Sequence, residues 1–128
     1  MLLFVYGTLK RGGKYHDYLG EAVLEAEYAV AKGDLYDTGL GYPAMDINGK
    51  GEVQGEIYDI PEALWPAIDY LEDYSGGAAT DLFNKVKIEV KADGKVLQTV
   101  VYVATMKEQL KEKVESGNWD VLAVEGAY

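Results

Sequence analysis

The sequence predicts an α+β fold: a small, mainly antiparallel mixed β-barrel with two or three flanking helices. Three observations carry this expectation. Short runs of β-branched and aromatic residues recur along the chain, and Asn48-Gly49 and Asp93-Gly94 each join two of them. Both dipeptides favour two-residue hairpin turns. Within one such run Val86, Ile88 and Val90 alternate with Lys85, Lys87, Glu89 and Lys91, which predicts a strand with one buried and one wet face. Only residues 61–73 and 106–115 read as helices of any length. Strands in this number with so few helices close naturally into a small barrel.

The elements follow in order. Residues 1–6 form a short apolar strand of the buried kind, and it stops at Gly7. The segment Tyr6-Gly7-Thr8-Leu9-Lys10-Arg11-Gly12-Gly13 then runs through two cations between glycines. A strand ending in a glycine turn leaves backbone N–H groups without ladder partners, and such a concavity binds anions or oxyanions. Residues 15–19 read as a short helical or irregular piece, and residues 23–37 as one long extended segment. One hairpin is expected from residues 44–47 and 51–60, the other from residues 83–91 and 96–104.

Pro61 suits the first position of a helix over residues 61–73. Pro66 predicts two short turns or a kink there, because an interior proline removes an N–H and crowds the preceding turn. Leu64, Ile68 and Leu71 share one face, Glu72 lies at its edge, and Asp69 and Asp73 turn further towards water. Glu72 is therefore the carboxylate most exposed to desolvation, which raises a carboxyl pKa. Residues 106–115, rich in Lys and Glu, read as a solvent-facing helix held by i,i+4 pairs.

Composition narrows the function classes. At 128 residues the chain is expected to be one domain, residues 1–128, able to bury roughly two-thirds of its unfolded surface. A formal net charge of −10 opposes nucleic-acid and anionic-membrane partners, both of which need a basic footprint. The chain has no cysteine, so disulfides, thiolate nucleophiles and Cys-based metal sites are excluded. With a single histidine, His16, a His-rich metal site is not expected either. No apolar run approaches the ~20 residues of a membrane span, and a cytoplasmic location is the default expectation.

Several motifs carry a family resemblance. Tyr6-Gly7-Thr8-Leu9-Lys10-Arg11-Gly12 resembles the start of the γ-glutamylcyclotransferase-like family, which includes the γ-glutamylamine cyclotransferases and the plant avirulence-induced-gene proteins. Gly33-Asp34-Leu35-Tyr36-Asp37-Thr38-Gly39 with Tyr42-Pro43-Ala44 is similar to the family's second strand and Gly-Tyr-Pro segment. Val53-Gln54-Gly55-Glu56-Ile57-Tyr58, Ile68-Asp69-Tyr70-Leu71-Glu72-Asp73-Tyr74 and Ser116-Gly117-Asn118-Trp119 resemble three further elements. The departures are Asp73, where a glycine usually follows the glutamate, and Lys85, where an arginine is common. The resemblance covers most of the chain and implies the same small barrel.

It also implies a chemistry: cyclisation of a γ-glutamyl amine or peptide to 5-oxoproline with release of the amine, without metal or cofactor. The substrate's own α-amine is the nucleophile, so the enzyme supplies conformation and a base. Glu72 matches the family's proton acceptor. Tyr6 is expected in the pocket wall, and the backbone N–H groups of Gly7, Thr8 and Leu9 would hold substrate oxygens. The competing readings are a non-catalytic small-molecule binding module on the same barrel and hydrolysis of an amide in the same cavity. Lys10 and Arg11 are read as solvated cations, His16 as a local hydrogen-bonding residue, and Trp119 as a C-terminal packing anchor. Most of the eleven tyrosines are strand and rim residues on this reading.

Overall fold

The computed structural model describes residues 1–120. Strands β1 (Leu2–Val5), β2 (Val23–Lys32), β5 (Glu52–Asp59), β6 (Phe83–Ala92) and β7 (Lys95–Ala104) close a barrel in the order β1-β5-β2-β6-β7. All neighbours are antiparallel except at the seam, where β1 runs parallel to β7 with Leu3 opposite Val100. A small second sheet, β4-β3-β8, is built from β3 (Asp34–Asp37), β4 (Pro43–Asp46) and β8 (Glu112–Lys113). The predicted mixed, mainly antiparallel barrel is the observed architecture.

Helix is scarcer than predicted: α1 (Trp65–Leu71) is joined among the described residues only by 3-10 turns at His16–Leu19, Glu62–Leu64 and Lys107–Gln109. Strand β1 shows why the barrel needs a helix at all. Its side chains alternate between two buried environments, as period 2 requires. Phe4 and Tyr6 point into the barrel with Ala29, Ala31, Met45, Val53 and Val101. Leu3 and Val5 face outward and are covered by a second core that includes Leu19, Trp65, Ile68 and Tyr102. The helix therefore covers an apolar outer face, and Ile68 is fully buried there.

Three expectations need correction. The single extended segment over residues 23–37 is two strands in two sheets. Gly33 breaks it, with φ +152° and the Asp46 carbonyl where a Cβ would sit. The hairpin expected around Asn48-Gly49 does not form: β4 pairs with β3, whereas β5 pairs with β1 and β2. A type I′ turn needs positive φ at both central residues, and neither Asn48 nor Gly49 has it. Instead the Asp46 carboxylate accepts the Asn48 N–H, and the Asp34 carboxylate accepts the Gly51 N–H. Asp93 and Gly94, both at positive φ, do make the second predicted hairpin, with ten cross-strand pairs from Phe83–Ala104 to Ala92–Lys95.

The third correction concerns the charged helix over residues 106–115. It is one 3-10 turn followed by β8, which pairs with β3 through Tyr36–Lys113 and Asp37–Glu112. Lys and Glu favour helix only as a weak prior. Here the Gln109 side chain accepts the Thr105 and Met106 N–H groups and donates to the Leu82 carbonyl, which ends the turn early.

Candidate active site

A cavity of about 190 Å³ opens between the C-terminal end of β1 and the C-terminal end of α1. Gly7, Thr8 and Leu9 line one side, and Leu71, Glu72 and Asp73 the other; Tyr6, Tyr42, Phe83 and Tyr102 stand between them. The glycine loop and the glutamate, 65 positions apart in the sequence, thus face one space.

The loop side is backbone. A turn closes from the Lys10 N–H to the Gly7 carbonyl, which leaves Thr8 and Leu9 as its central residues. The N–H groups of central turn residues have no acceptor within the turn. Among the described residues, those of Gly7, Thr8 and Leu9 donate to no protein acceptor. Gly7 is required by contact rather than by conformation. Its φ is not positive, but an added Cβ would lie 2.8 and 2.9 Å from two carbons of the Pro43 ring.

The two cations beyond the loop are not free solvated charges. Lys10 is buried, and its ammonium donates to Asn118 Oδ1 at 2.9 Å and to the Trp119 carbonyl at 2.7 Å. Burial pushes its pKa down. Arg11 donates its backbone N–H and its Nε to the Glu56 carboxylate. Neither lines the cavity; together they clip the loop to the barrel and to Asn118 and Trp119. His16 is a local partner, with Nδ1 2.8 Å from the Leu9 carbonyl, and Trp119 is buried in the barrel core.

The helix side is made of side chains, and helix termination sets their aim. Pro66 sits in the first turn of α1, where a missing N–H costs no hydrogen bond. At the other end the Asp73 N–H bonds to the Tyr70 carbonyl and the Tyr74 N–H to the Asp69 carbonyl, a complete Schellman motif. Asp73 holds the left-handed position at φ +53°, which glycine favours, and its carboxylate accepts the Leu82 N–H. The departure noted at Asp73 is thus accommodated. Glu72 caps the helix half-buried. Its carboxylate makes no hydrogen bond or ion pair among the described residues. Burial pushes the Glu72 pKa up to about 7.

Two residues depart from what the sequence predicts. Asp69, expected to turn towards water, receives hydrogen bonds on one oxygen from Tyr102 at 2.5 Å and from Lys85 at 3.0 Å. Tyr102, read only as a strand residue, lines the cavity. The signal for both was the position of Lys85, directly opposite Tyr102 on β6 in an otherwise wet row. Tyr6 is in the wall as expected, but its hydroxyl serves the fold. It donates to the Tyr102 carbonyl and accepts the Met45 N–H.

The closed barrel and its motifs agree with what comparison with known proteins finds. The chain belongs to the gamma-glutamyl cyclotransferase, AIG2-like family, which it matches over residues 3–121. It is 37% identical over 112 residues to the gamma-L-glutamyl-butirosin B gamma-glutamyl cyclotransferase of Niallia circulans, covering 87% of this chain and 71% of that protein. Among solved structures it resembles YkqA from Bacillus subtilis (TM-score 0.75, 25% identity), covering 98% of this chain but only 41% of YkqA. It also resembles ytfP from Escherichia coli (TM-score 0.63, 28% identity), covering 93% of this chain and 96% of that one. No helix among the described residues is long and apolar enough to cross a membrane.

Proposed function

We propose that the protein cyclises a γ-glutamyl amine or γ-glutamyl peptide to 5-oxoproline, releasing the amine, with Glu72 as general base. The observation that carries this reading is a Glu72 carboxylate that has no hydrogen-bond partner among the described residues, on the same cavity as three backbone N–H groups that donate to no acceptor among them. Folding the substrate so that its α-nitrogen meets its own γ-carbonyl supplies most of the catalysis, and such orientation is worth ~7–11 kcal/mol in well-aligned systems. The substrate enters as an ammonium with a pKa of roughly 8. A carboxylate at about 7 is well matched to take its proton near neutral pH.

The freed nitrogen attacks the γ-carbonyl carbon and forms the lactam C–N bond. Negative charge develops on the carbonyl oxygen, where the N–H groups of Gly7, Thr8 and Leu9 are the available donors; one such donor is worth about 3–4 kcal/mol. The bond to the leaving nitrogen then breaks as protonated Glu72 returns the proton to it, and the second proton shed by the ring nitrogen follows by way of the freed Glu72 carboxylate, so that the amine departs as its ammonium. Products are 5-oxoproline and the free amine, and no water is consumed.

The test is a panel of γ-glutamyl amines and dipeptides incubated with the protein and assayed for 5-oxoproline. Its release is the expected outcome. Glutamate as product would indicate hydrolysis instead, and saturable binding without turnover would leave a binding module.

A further inference from the structure

Tyr6 and Tyr102 both line the cavity, and the Glu72 carboxylate acts electrostatically on both phenols, but their hydroxyls are employed differently. A phenol has one proton to give and two lone pairs to accept with. Tyr6 spends its proton and an acceptor site on backbone groups. Tyr102 spends its proton on the Asp69 carboxylate, and no protein donor reaches its oxygen among the described residues. What Tyr102 can still do in the cavity is accept.

Its orientation is fixed from three directions. Asp69 lies three residues before Glu72 on α1, so the two sit on neighbouring positions of one helical face. Lys85, the cross-strand partner of Tyr102, donates to the same Asp69 oxygen at 3.0 Å. Its ammonium lies over the Trp65 ring at 4.0 Å and near that of Tyr74 at 5.7 Å. The Tyr74 ring meets the Tyr102 ring edge-on at 6.3 Å. The helix end that carries Glu72 is thereby pinned to the strand that carries Tyr102.

We propose that Tyr102 is a substrate-positioning residue whose oxygen accepts a hydrogen bond from the substrate's α-ammonium beside Glu72, with Asp69 and Lys85 as the positioning pair that keeps the phenol proton turned away. This deepens the γ-glutamyl reading and rests on it. An ammonium has three N–H groups. Held by Glu72 through one and by Tyr102 through another, it has the direction of its emerging lone pair defined before it loses a proton. Burial, and then Asp69, push the Tyr102 pKa far above its ordinary value, so the phenol stays neutral and does not compete with Glu72 for the proton.

The test compares a γ-glutamyl amine with its analogue lacking the α-amine, measuring Kd by calorimetry in the Glu72→Gln background, where the amine is not turned over. Adding Tyr102→Phe should weaken the amine-bearing ligand about tenfold, the scale of a hydrogen bond to a charged group, and the analogue less than twofold. Asp69→Asn keeps the ring but offers its amide N–H to the Tyr102 oxygen, and should reduce the same preference. In the otherwise wild-type protein Lys85→Met should lower kcat/KM, and Lys85→Arg should restore it. Equal weakening of both ligands by Tyr102→Phe, or an unchanged preference in Asp69→Asn, would overturn the proposal while leaving the γ-glutamyl reading intact. No release of 5-oxoproline from any γ-glutamyl amine by the wild-type protein would overturn both.

Discussion

On one side of the cavity, Gly7, Thr8 and Leu9 offer backbone; on the other, Glu72 offers a side chain. The backbone side is held from behind by Lys10 and Arg11, whose charges are satisfied away from the cavity. The helix side is held by a Schellman turn and by the Asp69–Lys85–Tyr102 contacts. Donors made of backbone are insensitive to which side chains accompany them, but vulnerable to any added atom that moves the turn. Groups made of side chains tolerate crowding nearby and fail when one functional atom is exchanged. The two sides should therefore break under opposite kinds of substitution.

The largest effect is expected on the helix side. Glu72→Gln keeps shape and removes the base, so kcat should fall by ~10²-fold or more while the protein still folds. A rate within a few-fold of wild type in a 5-oxoproline assay would rule Glu72 out as the base. In the wild-type protein the acid limb of kcat/KM should lie near pH 7, since burial sets the carboxyl at about 7; a limb at the ordinary value of roughly 4.3 would contradict this.

Next comes the loop. Gly7→Val forces branched carbons against the Pro43 ring, where even a Cβ would lie 2.8 Å away. The turn must shift, lowering kcat/KM by roughly 10–100-fold as one or more oxyanion donors move off target. Stability should fall by ~1–3 kcal/mol, the usual cost of overpacking. Thr8→Ala removes a hydroxyl but no backbone donor, and its kcat/KM should change far less. If Thr8→Ala were the more damaging of the two, the loop would be acting through its side chains.

The helix side also carries a stability cost that the backbone side lacks. A carboxyl whose folded pKa is raised binds more protons when folded than unfolded between the two pKa values. Its contribution is therefore fully present below the unfolded value of roughly 4.3 and is lost as pH rises through about 7. Glu72→Gln, uncharged throughout, should melt a few degrees above wild type at pH 8, and the gain should vanish near pH 4. A constant difference in Tm across that range would show that Glu72 pays no desolvation cost on ionising.

How far these two sides could be read from the sequence follows from the same contrast. The loop was legible because a strand, a glycine and the residues after it are local. The half-buried position of Glu72 at the helix end was legible because its helical phase against Ile68 and Leu71 is local too. Asp93-Gly94 announced its hairpin because both residues adopt the positive φ that the turn demands. Asn48-Gly49 carries the same kind of turn signal and misled, because β4 pairs with β3 and the Asp34 carboxylate, on that neighbouring strand, captures the Gly51 N–H. Asp69 was placed in water because helical phase alone cannot show that Lys85 and Tyr102 arrive from β6 and β7. What escaped the sequence is what depends on which strand lies across from which.

The smallest effect tests the turn that aims Glu72. Asp73 occupies a left-handed position at φ +53°, where a Cβ costs energy and glycine does not. Aspartate is among the residues that tolerate it, and here its carboxylate also accepts the Leu82 N–H at 3.2 Å. Asp73→Gly relieves the backbone but gives up that bond and loosens the unfolded chain, so its net change should stay within about 0.5 kcal/mol. Asp73→Ala keeps the strain and loses the bond. It should therefore be less stable than Asp73→Gly by ~1 kcal/mol, read from the difference in denaturant midpoints at a common m-value. Equal midpoints for the two variants would mean that residue 73 does not hold the left-handed conformation in solution, and that Glu72 is aimed by the Asp69 contacts alone.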